Sequence, residues 1–338
     1  MSELINNNPL NSLKINYMEY QDYFEYYQSY LGASSFLKKP EKLYQPIEYI
    51  LGLGGKRIRP VLVLAACDLF DGDLAAACPA AHAVEVFHNF TLMHDDIMDA
   101  APLRRGKDSV PKKYGSNLAI LSGDTMLIKA YQEIEKLPEK NMVKAFRLFN
   151  KTAVEVCEGQ MLDMSFENNN DVEENDYLEM IELKTAVLMG CSLKLGGICA
   201  QASTEQQKLL YELGINMGMA FQIQDDLLDS FGKDNFGKTI GGDILNDKKT
   251  ILFIHTLKNA SAEDKAQLLS LSGNKKESKA KIKAIKNLFE KYGARSYAQS
   301  LKDNYFTKSG EILSAIKSTD SKKNFLESLN QLLIKRVI

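Results

Sequence analysis

The sequence predicts an all-α protein, a helical bundle around a central apolar cavity with acidic groups at its mouth. Three observations carry this expectation. Apolar residues recur at helical spacing along almost all of the 338 residues, and no series of alternating, strand-like segments interrupts them. Two runs, 75–93 and 205–228, are apolar on more than one face, which puts those helices in the interior with the others around them. Both runs end in the same aspartate pattern, DDxxD, at Asp95 to Asp99 and at Asp225 to Asp229.

Taken in order, helices are expected over Tyr17 to Tyr30, Pro40 to Leu51, Arg59 to Phe70, Ala75 to Asp99, Asn117 to Lys136 and Glu139 to Phe166. They continue over Asp176 to Gly190, Cys191 to Ala202, Glu205 to Phe231, Lys248 to Lys258, Lys276 to Tyr292 and Ala294 to Arg336. The first is rich in tyrosine, an aromatic run more typical of core than of a partner surface. Glycines punctuate the chain, notably at Gly52-Leu53-Gly54-Gly55 and in the loop from Phe231 to Asp247, whose four glycines and Lys238 suit a lid. Residues 1–14 are expected to be a flexible segment and 15–338 one domain, because no Pro/Ser-rich linker divides them.

The chain is 45% hydrophobic and 25% charged, with a formal net charge of -2, which argues against a nucleic-acid surface built from bulk charge. Five cysteines, an odd number without a CxxC pair, read as free thiols of a reducing compartment. The first eleven residues are polar and Asn-rich, and no run approaches the ~18 apolar residues of a membrane span. A cytoplasmic location without a signal peptide is the expectation.

Residues four apart share a helix face, so Asp95 and Asp99 point one way, as do Asp225 and Asp229, with Asp96 and Asp226 about 100° round from the first aspartates. Four to six converging carboxylates repel one another by several kcal/mol unless a multivalent cation neutralises them. All-oxygen ligation suits Mg²⁺ or Mn²⁺ better than zinc. One such motif alone is accounted for by an acidic helix end on solvent; two on the most hydrophobic helices are not.

Mg²⁺ held by few carboxylates shares its ligation with phosphates, and cations for them stand nearby. Arg104 and Arg105 follow the first motif, and Gly54-Gly55-Lys56-Arg57-Ile58-Arg59-Pro60 puts three basic side chains at a helix entry. By itself the latter run would read as a solvated helix cap. His82, His88 and His94 are spaced by six, about 240° apart on a helix, so they share no face and form no zinc site.

These residues resemble the trans-isoprenyl diphosphate synthases, or polyprenyl synthetases, over nearly the whole chain. GGKRIRP, HDDIMD followed by LRRG, GDTML, GQMLD, LKTAVL, FQIQDDLLD and FGKTIGGDILNDKKT all occur in the family order. The resemblance implies the isoprenoid synthase fold, a homodimer, and head-to-tail condensation of isopentenyl diphosphate with an allylic diphosphate such as the dimethylallyl, geranyl or farnesyl ester. It places isopentenyl diphosphate on Lys56, Arg59, His88 and Arg105. The allylic diphosphate falls to Arg104, Lys184, Thr185, Gln222, Lys238 and Lys248, of which Lys184, Thr185 and Gln222 reach the reacting carbons. Three Mg²⁺ are implied, held chiefly by Asp95, Asp99 and Asp225 with Asp96, Asp226 and Asp229 assisting. Gln160 and Asp163 match a segment lining the site, while His82 and His94 read as structural.

Within this family product length follows from what blocks the cavity beneath the first motif. Phe90 lies five residues before Asp95, about 7.5 Å down the axis, Thr91 four before it, and Phe87 a turn lower. A bulky aromatic at the fifth position resembles short-chain enzymes, although Phe90 could simply pack in the core. Thr91 departs from the paired aromatics of the eukaryotic farnesyl type, and the motif lacks the two-residue insertion of bacterial farnesyl enzymes. A geranylgeranyl (C20) product is expected, farnesyl (C15) next. A class I terpene cyclase shares the fold and first motif but needs no GGKRIRP site; a longer-chain polyprenyl synthase is the other alternative. A His-Asp phosphohydrolase would need further histidines, and a non-catalytic helical subunit would be expected to have lost aspartates or arginines.

Overall fold

The computed structural model describes residues 18–166, 169–232, 241–273 and 279–334. Sixteen α-helices make up almost all of the described chain: α1 (Tyr20–Ala33), α2 (Glu41–Gly52), α3 (Ile58–Asp68), α4 (Leu74–Met98), α5 (Val110–Tyr114), α6 (Ser116–Glu135), α7 (Glu139–Phe166) and α8 (Glu174–Ile181), then α9 (Val187–Cys199), α10 (Thr204–Phe231), α11 (Gly242–Leu245), α12 (Ile251–Asn259), α13 (Ala262–Ser272), α14 (Lys279–Lys291), α15 (Ala294–Ala315) and α16 (Asp320–Ile334). The all-α expectation holds. The one described sheet pairs β1 (Leu103–Arg104) with β2 (Lys107–Asp108) antiparallel. No described helix is long and apolar enough to cross a membrane.

The two runs apolar all round are the interior helices α4 and α10. The Asp73 side chain caps α4 by accepting from the Ala75 amide at 2.9 Å, and Ser203 caps α10 by accepting from Gln206. Between the caps and the aspartates, α4 buries Val84, Val86, Phe87, Phe90 and Met93, and α10 buries Leu210, Leu213, Met217, Met219 and Ile223. Packing runs from α6 to α4, α3, α9, α10 and α15, with α7 laid across α9. One apolar cluster fills the space between α1, α3, α4, α6, α7 and α9, and a second lies between α8, the C-terminal half of α10, α12, α14 and α15. The tyrosines of α1 belong to the first: Tyr27 is fully buried and its hydroxyl meets His82 Nδ1 at 3.0 Å. His82 is therefore structural, and burial pushes it down to about 3, so that it stays neutral.

Several boundaries correct the sequence expectation. The break expected at Gly190 does not exist; instead one turn of π-helix, Glu182–Ala186, joins α8 to α9. Two glycines from elsewhere in the chain pack against it. A Cβ at Gly159 on α7 would come within 2.3 Å of the Lys184 amide nitrogen, and one at Gly218 on α10 within 2.5 Å of Ala186 Cα. Two bare helix surfaces thus let α7 and α10 close on the wide turn, and π turns of this kind concentrate at functional sites. The expected helix from Ala294 to Arg336 is broken after Ala315, because the Lys317 amide donates to Gln206 Oε1 at 2.8 Å and the Ser318 hydroxyl to the Leu69 carbonyl at 2.6 Å. Helix α13 was not expected, although Ser261 followed by Glu263 and Asp264 is a helix-start signature.

The clamp on the π turn gives a direct prediction. Gly159→Ala should cost about 1–3 kcal/mol of stability through overpacking. It should also lower turnover more than about tenfold, because Lys184 and Thr185 ride on the displaced backbone. Thermal unfolding beside steady-state rates checks it; a variant that unfolds earlier yet turns over normally would show that the turn's position is irrelevant to chemistry.

Candidate active site

A cavity of about 510 Å³ lies beside the C-terminal ends of α4 and α10. Arg59, His88, Phe90, Thr91, Asp95, Lys184, Thr185, Gln222 and Asp225 all line it. An aspartate of each DDxxD segment therefore faces one space, as the helical period requires. A smaller polar chamber of about 110 Å³ adjoins, walled by Asp163, Tyr177, Asp226, Asp243 and Lys248, and it shares Lys184, Thr185 and Gln222 with the larger.

Carboxylates at helix C-termini sit where the peptide dipoles are already negative. Asp99 caps the end of α4 itself and is exposed. Burial raises the Asp95 acid above the ordinary carboxylate range and the Asp99 charge adds to this, while Lys184 and Arg104 pull it back. Among the described residues no three His, Cys, Asp or Glu groups already form a closed metal cage. The aspartate oxygens of Asp95 and Asp225 that face the cavity suit the hardness of Mg²⁺, which keeps water and phosphate oxygens beside few protein ligands. Asp95, Asp99 and Asp225 are the residues that would hold it.

The assisting aspartates are engaged by the chain. Asp96 is fully buried and its Oδ1 accepts from Arg104 Nε at 3.0 Å and also from Nη2, so Arg104 is held over the first motif. Asp226 accepts from the Tyr177 hydroxyl at 2.6 Å and from Gln222 Nε2 at 3.1 Å. Asp229 accepts from the Asp243 amide at 2.9 Å, and its carbonyl accepts from the Gly241 amide at 2.7 Å, which anchors the start of α11. Lys184 is paired with Asp163, and Lys248 Nζ lies 3.8 Å from the same carboxylate. Asp163 thus holds two cations at the boundary of the two spaces. Lys238 lies outside the described residues, as do residues 1–14.

The basic loop after α2 divides in two at Arg57, which the resemblance left out of the diphosphate contacts. The Arg57 backbone is left-handed (φ 48°), which turns the side chain inward onto Glu85 and the Leu51 carbonyl, with both charged side chains almost fully buried. Lys56 stays exposed, and Arg59 Nη1 lies 3.2 Å from His88 Nε2. Burial and then the Arg59 charge push His88 well below the imidazole range, so a neutral ring accepts from the guanidinium. Burial also lowers Arg59, to about 10, against the pull of Glu85. Arg105 reaches the same loop from the β1–β2 turn. Arg105 and Gly106 both have positive φ (53° and 75°), as a two-residue hairpin demands. The Arg105 guanidinium donates to the Gly54 carbonyl and lies against Gly55, where a Cβ would sit 2.7 Å from Cζ. The backbone angle at Gly55, φ 126°, favours glycine there.

In the cavity wall Phe90 packs on Phe87 with centroids 5.5 Å apart and edge-on to His94 at 4.7 Å. Phe87 is buried beneath it. His94, expected to be structural, also lines the cavity. Met98, Met161 and Met164 complete the wall, missed because methionines at i, i+3 on α7 look like ordinary core. Tyr177 and Asp243 were missed too.

A model of the polyprenyl synthetase family matches residues 40–289. The chain is 40% identical over 309 residues to the geranylgeranyl diphosphate synthase of Saccharolobus solfataricus, covering 89% of this chain and 93% of that one. It is 38% identical over 301 residues to that of Sulfolobus acidocaldarius, covering 87% and 91%. Its fold superposes on a crystal structure of a geranylgeranyl pyrophosphate synthase with a TM-score of 0.91 at 38% identity, over 95% of this chain and 100% of the other. With a family match across most of its length and acidic and basic groups meeting at one cavity, the chain belongs to the polyprenyl synthetase family and is a prenyltransferase.

Proposed function

We propose that this enzyme is a Mg²⁺-dependent geranylgeranyl diphosphate synthase, adding isopentenyl diphosphate to allylic diphosphates and stopping at C20. One observation carries the reading: a single cavity is lined both by Asp95, Asp225 and Lys184 and by Phe90. Its named relatives agree with it.

In this reading Arg59 and a neutral His88, with Lys56 and Arg105, bind the diphosphate of isopentenyl diphosphate. Bound Mg²⁺ would neutralise the other diphosphate as it departs. Arg104, Lys184, Lys238 and Lys248 orient that group, so that the C–O bond breaks with its electron pair left on oxygen. Thr185 and Gln222 turn oxygen dipoles toward the allylic cation, and the apolar wall of Phe90, Leu188 and Phe221 excludes water. The π pair of isopentenyl diphosphate forms the new C–C bond. Released diphosphate accepts the proton that is lost.

We extend the proposal to a homodimer formed over α6 and α7, which expose Leu121, Ile128, Val143 and Phe146; light scattering checks it. The five free cysteines fit a cytoplasmic site.

The test is to incubate the purified enzyme with isopentenyl diphosphate, Mg²⁺ and dimethylallyl, geranyl or farnesyl diphosphate, and to size the products. C20 is expected from each primer. No elongation with any primer would overturn the reading. Phe90→Ala should lengthen the main product by one or more C5 units, since the floor drops toward Phe87; an unchanged product would place the floor elsewhere.

A further inference from the structure

Three hydrogen bonds run in series from a buried phenol to the wall of the cavity. The Tyr177 hydroxyl on α8 donates to Asp226 Oδ2 at 2.6 Å. Gln222 Nε2, one turn before that aspartate on α10, donates to Asp226 Oδ1 at 3.1 Å. The Thr185 hydroxyl on the π turn donates to Gln222 Oε1 at 3.1 Å. Thr185 and Gln222 line the large cavity; Tyr177, only 1% exposed, does not.

The chemistry of each group fixes the direction of the series. A carboxylate only accepts, so the nitrogen of the Gln222 amide must face Asp226 and its oxygen must face Thr185. The threonine proton is then committed to that oxygen, which leaves the hydroxyl lone pairs for the cavity. Reversing the amide would put a donor against Thr185 and reverse both dipoles. Asp226 is thus the anchor, and Tyr177 holds the anchor.

We propose that Tyr177 is a positioning residue for the condensation, fixing through Asp226 and Gln222 the orientation in which Thr185 presents its oxygen to the allylic cation. The inference rests on the proposed condensation activity. Its signature is on the chemical step, since Tyr177 touches neither the basic loop nor the larger cavity, and walls only the adjoining chamber.

The decisive experiment is a double-mutant cycle on the full-length enzyme with Mg²⁺ and both substrates. Tyr177→Phe removes the hydroxyl and keeps the ring. It should lower kcat about tenfold while KM for isopentenyl diphosphate changes less than about twofold. On a Gln222→Leu background, where the series is already cut, the same substitution should cost less than about twofold. Equal losses in the two backgrounds, or an unchanged kcat in Tyr177→Phe, would overturn the proposal and leave Tyr177 as core. Should Tyr177→Phe unfold, Asp226→Asn tests the same series: a kcat loss that vanishes on Gln222→Leu supports it, and one that persists overturns it. A wild-type enzyme that makes no product fails the proposed function instead, so the two failures are separable.

Discussion

Asp95→Asn and Asp225→Asn should each lower turnover by roughly 10²–10³-fold or more, the scale on which removing a group that stabilises developing charge acts. Each removes a charge from one side of a single cavity, and neither helix can compensate for the other. The same substitutions should not harm the fold. The sign follows from the acid itself: Asp95 is held above its unfolded value by burial and by Asp99, so stability is lost as the pH rises from the unfolded value to the raised one, and the cost is complete above it. A neutral amide of the same shape relieves that cost, and Asp95→Asn should melt at or slightly above the wild-type temperature in the absence of metal. With Mg²⁺ and inorganic diphosphate added the order should reverse. A ligand at a hundred times its Kd stabilises the folded state by about 2.7 kcal/mol, and the variants should lose most of that gain. Calorimetry with and without Mg²⁺-diphosphate checks it. Variants that melt as much higher with the ligand as the wild type does would place metal binding elsewhere.

How far this site was legible depends on the range of the interactions that build it. The helical period is local, so a run such as 205–228 followed by DDxxD was enough to bring Asp225 to a cavity; Asp226, expected about 100° round among the same carboxylates, walls the adjoining chamber. What depends on distant partners was not legible. Nothing in Glu-Leu-Lys-Thr-Ala announces a π turn, and the glycines packed against it, Gly159 and Gly218, lie on two other helices. The break after Ala315 depends on Gln206, 111 residues earlier than its partner Lys317. Tyr177 looked like any apolar-face aromatic until its hydroxyl was found on Asp226. Lys56, Arg57 and Arg59 looked like one basic cluster, yet a positive φ turns Arg57 into the interior while Lys56 stays exposed and Arg59 half-buried in the cavity wall.

That division carries the second large effect. Arg57 and Glu85 are an ion pair with both side chains at most 3% exposed, and Glu85 also accepts from Asn89 Nδ2 at 2.8 Å. Removing one partner of such a pair costs roughly 3–5 kcal/mol, because the other charge stays buried without compensation. Glu85→Ala should therefore lower the melting temperature by several degrees. It should also raise KM for isopentenyl diphosphate, since Glu85 is the negative charge that steadies the half-buried Arg59. Replacing the pair together, Arg57→Met with Glu85→Leu, should recover most of the stability, as apolar isosteres of buried pairs do. The double variant separates the two roles of Glu85. Stability returns because no charge is stranded, whereas the higher KM persists because Arg59 still lacks its counter-charge. Recovery of both in the double variant would mean that Arg57, not Arg59, is the cation whose field Glu85 balances. Recovery of neither would mean that the left-handed turn at Arg57 needs its guanidinium on the Leu51 carbonyl to hold the loop at all.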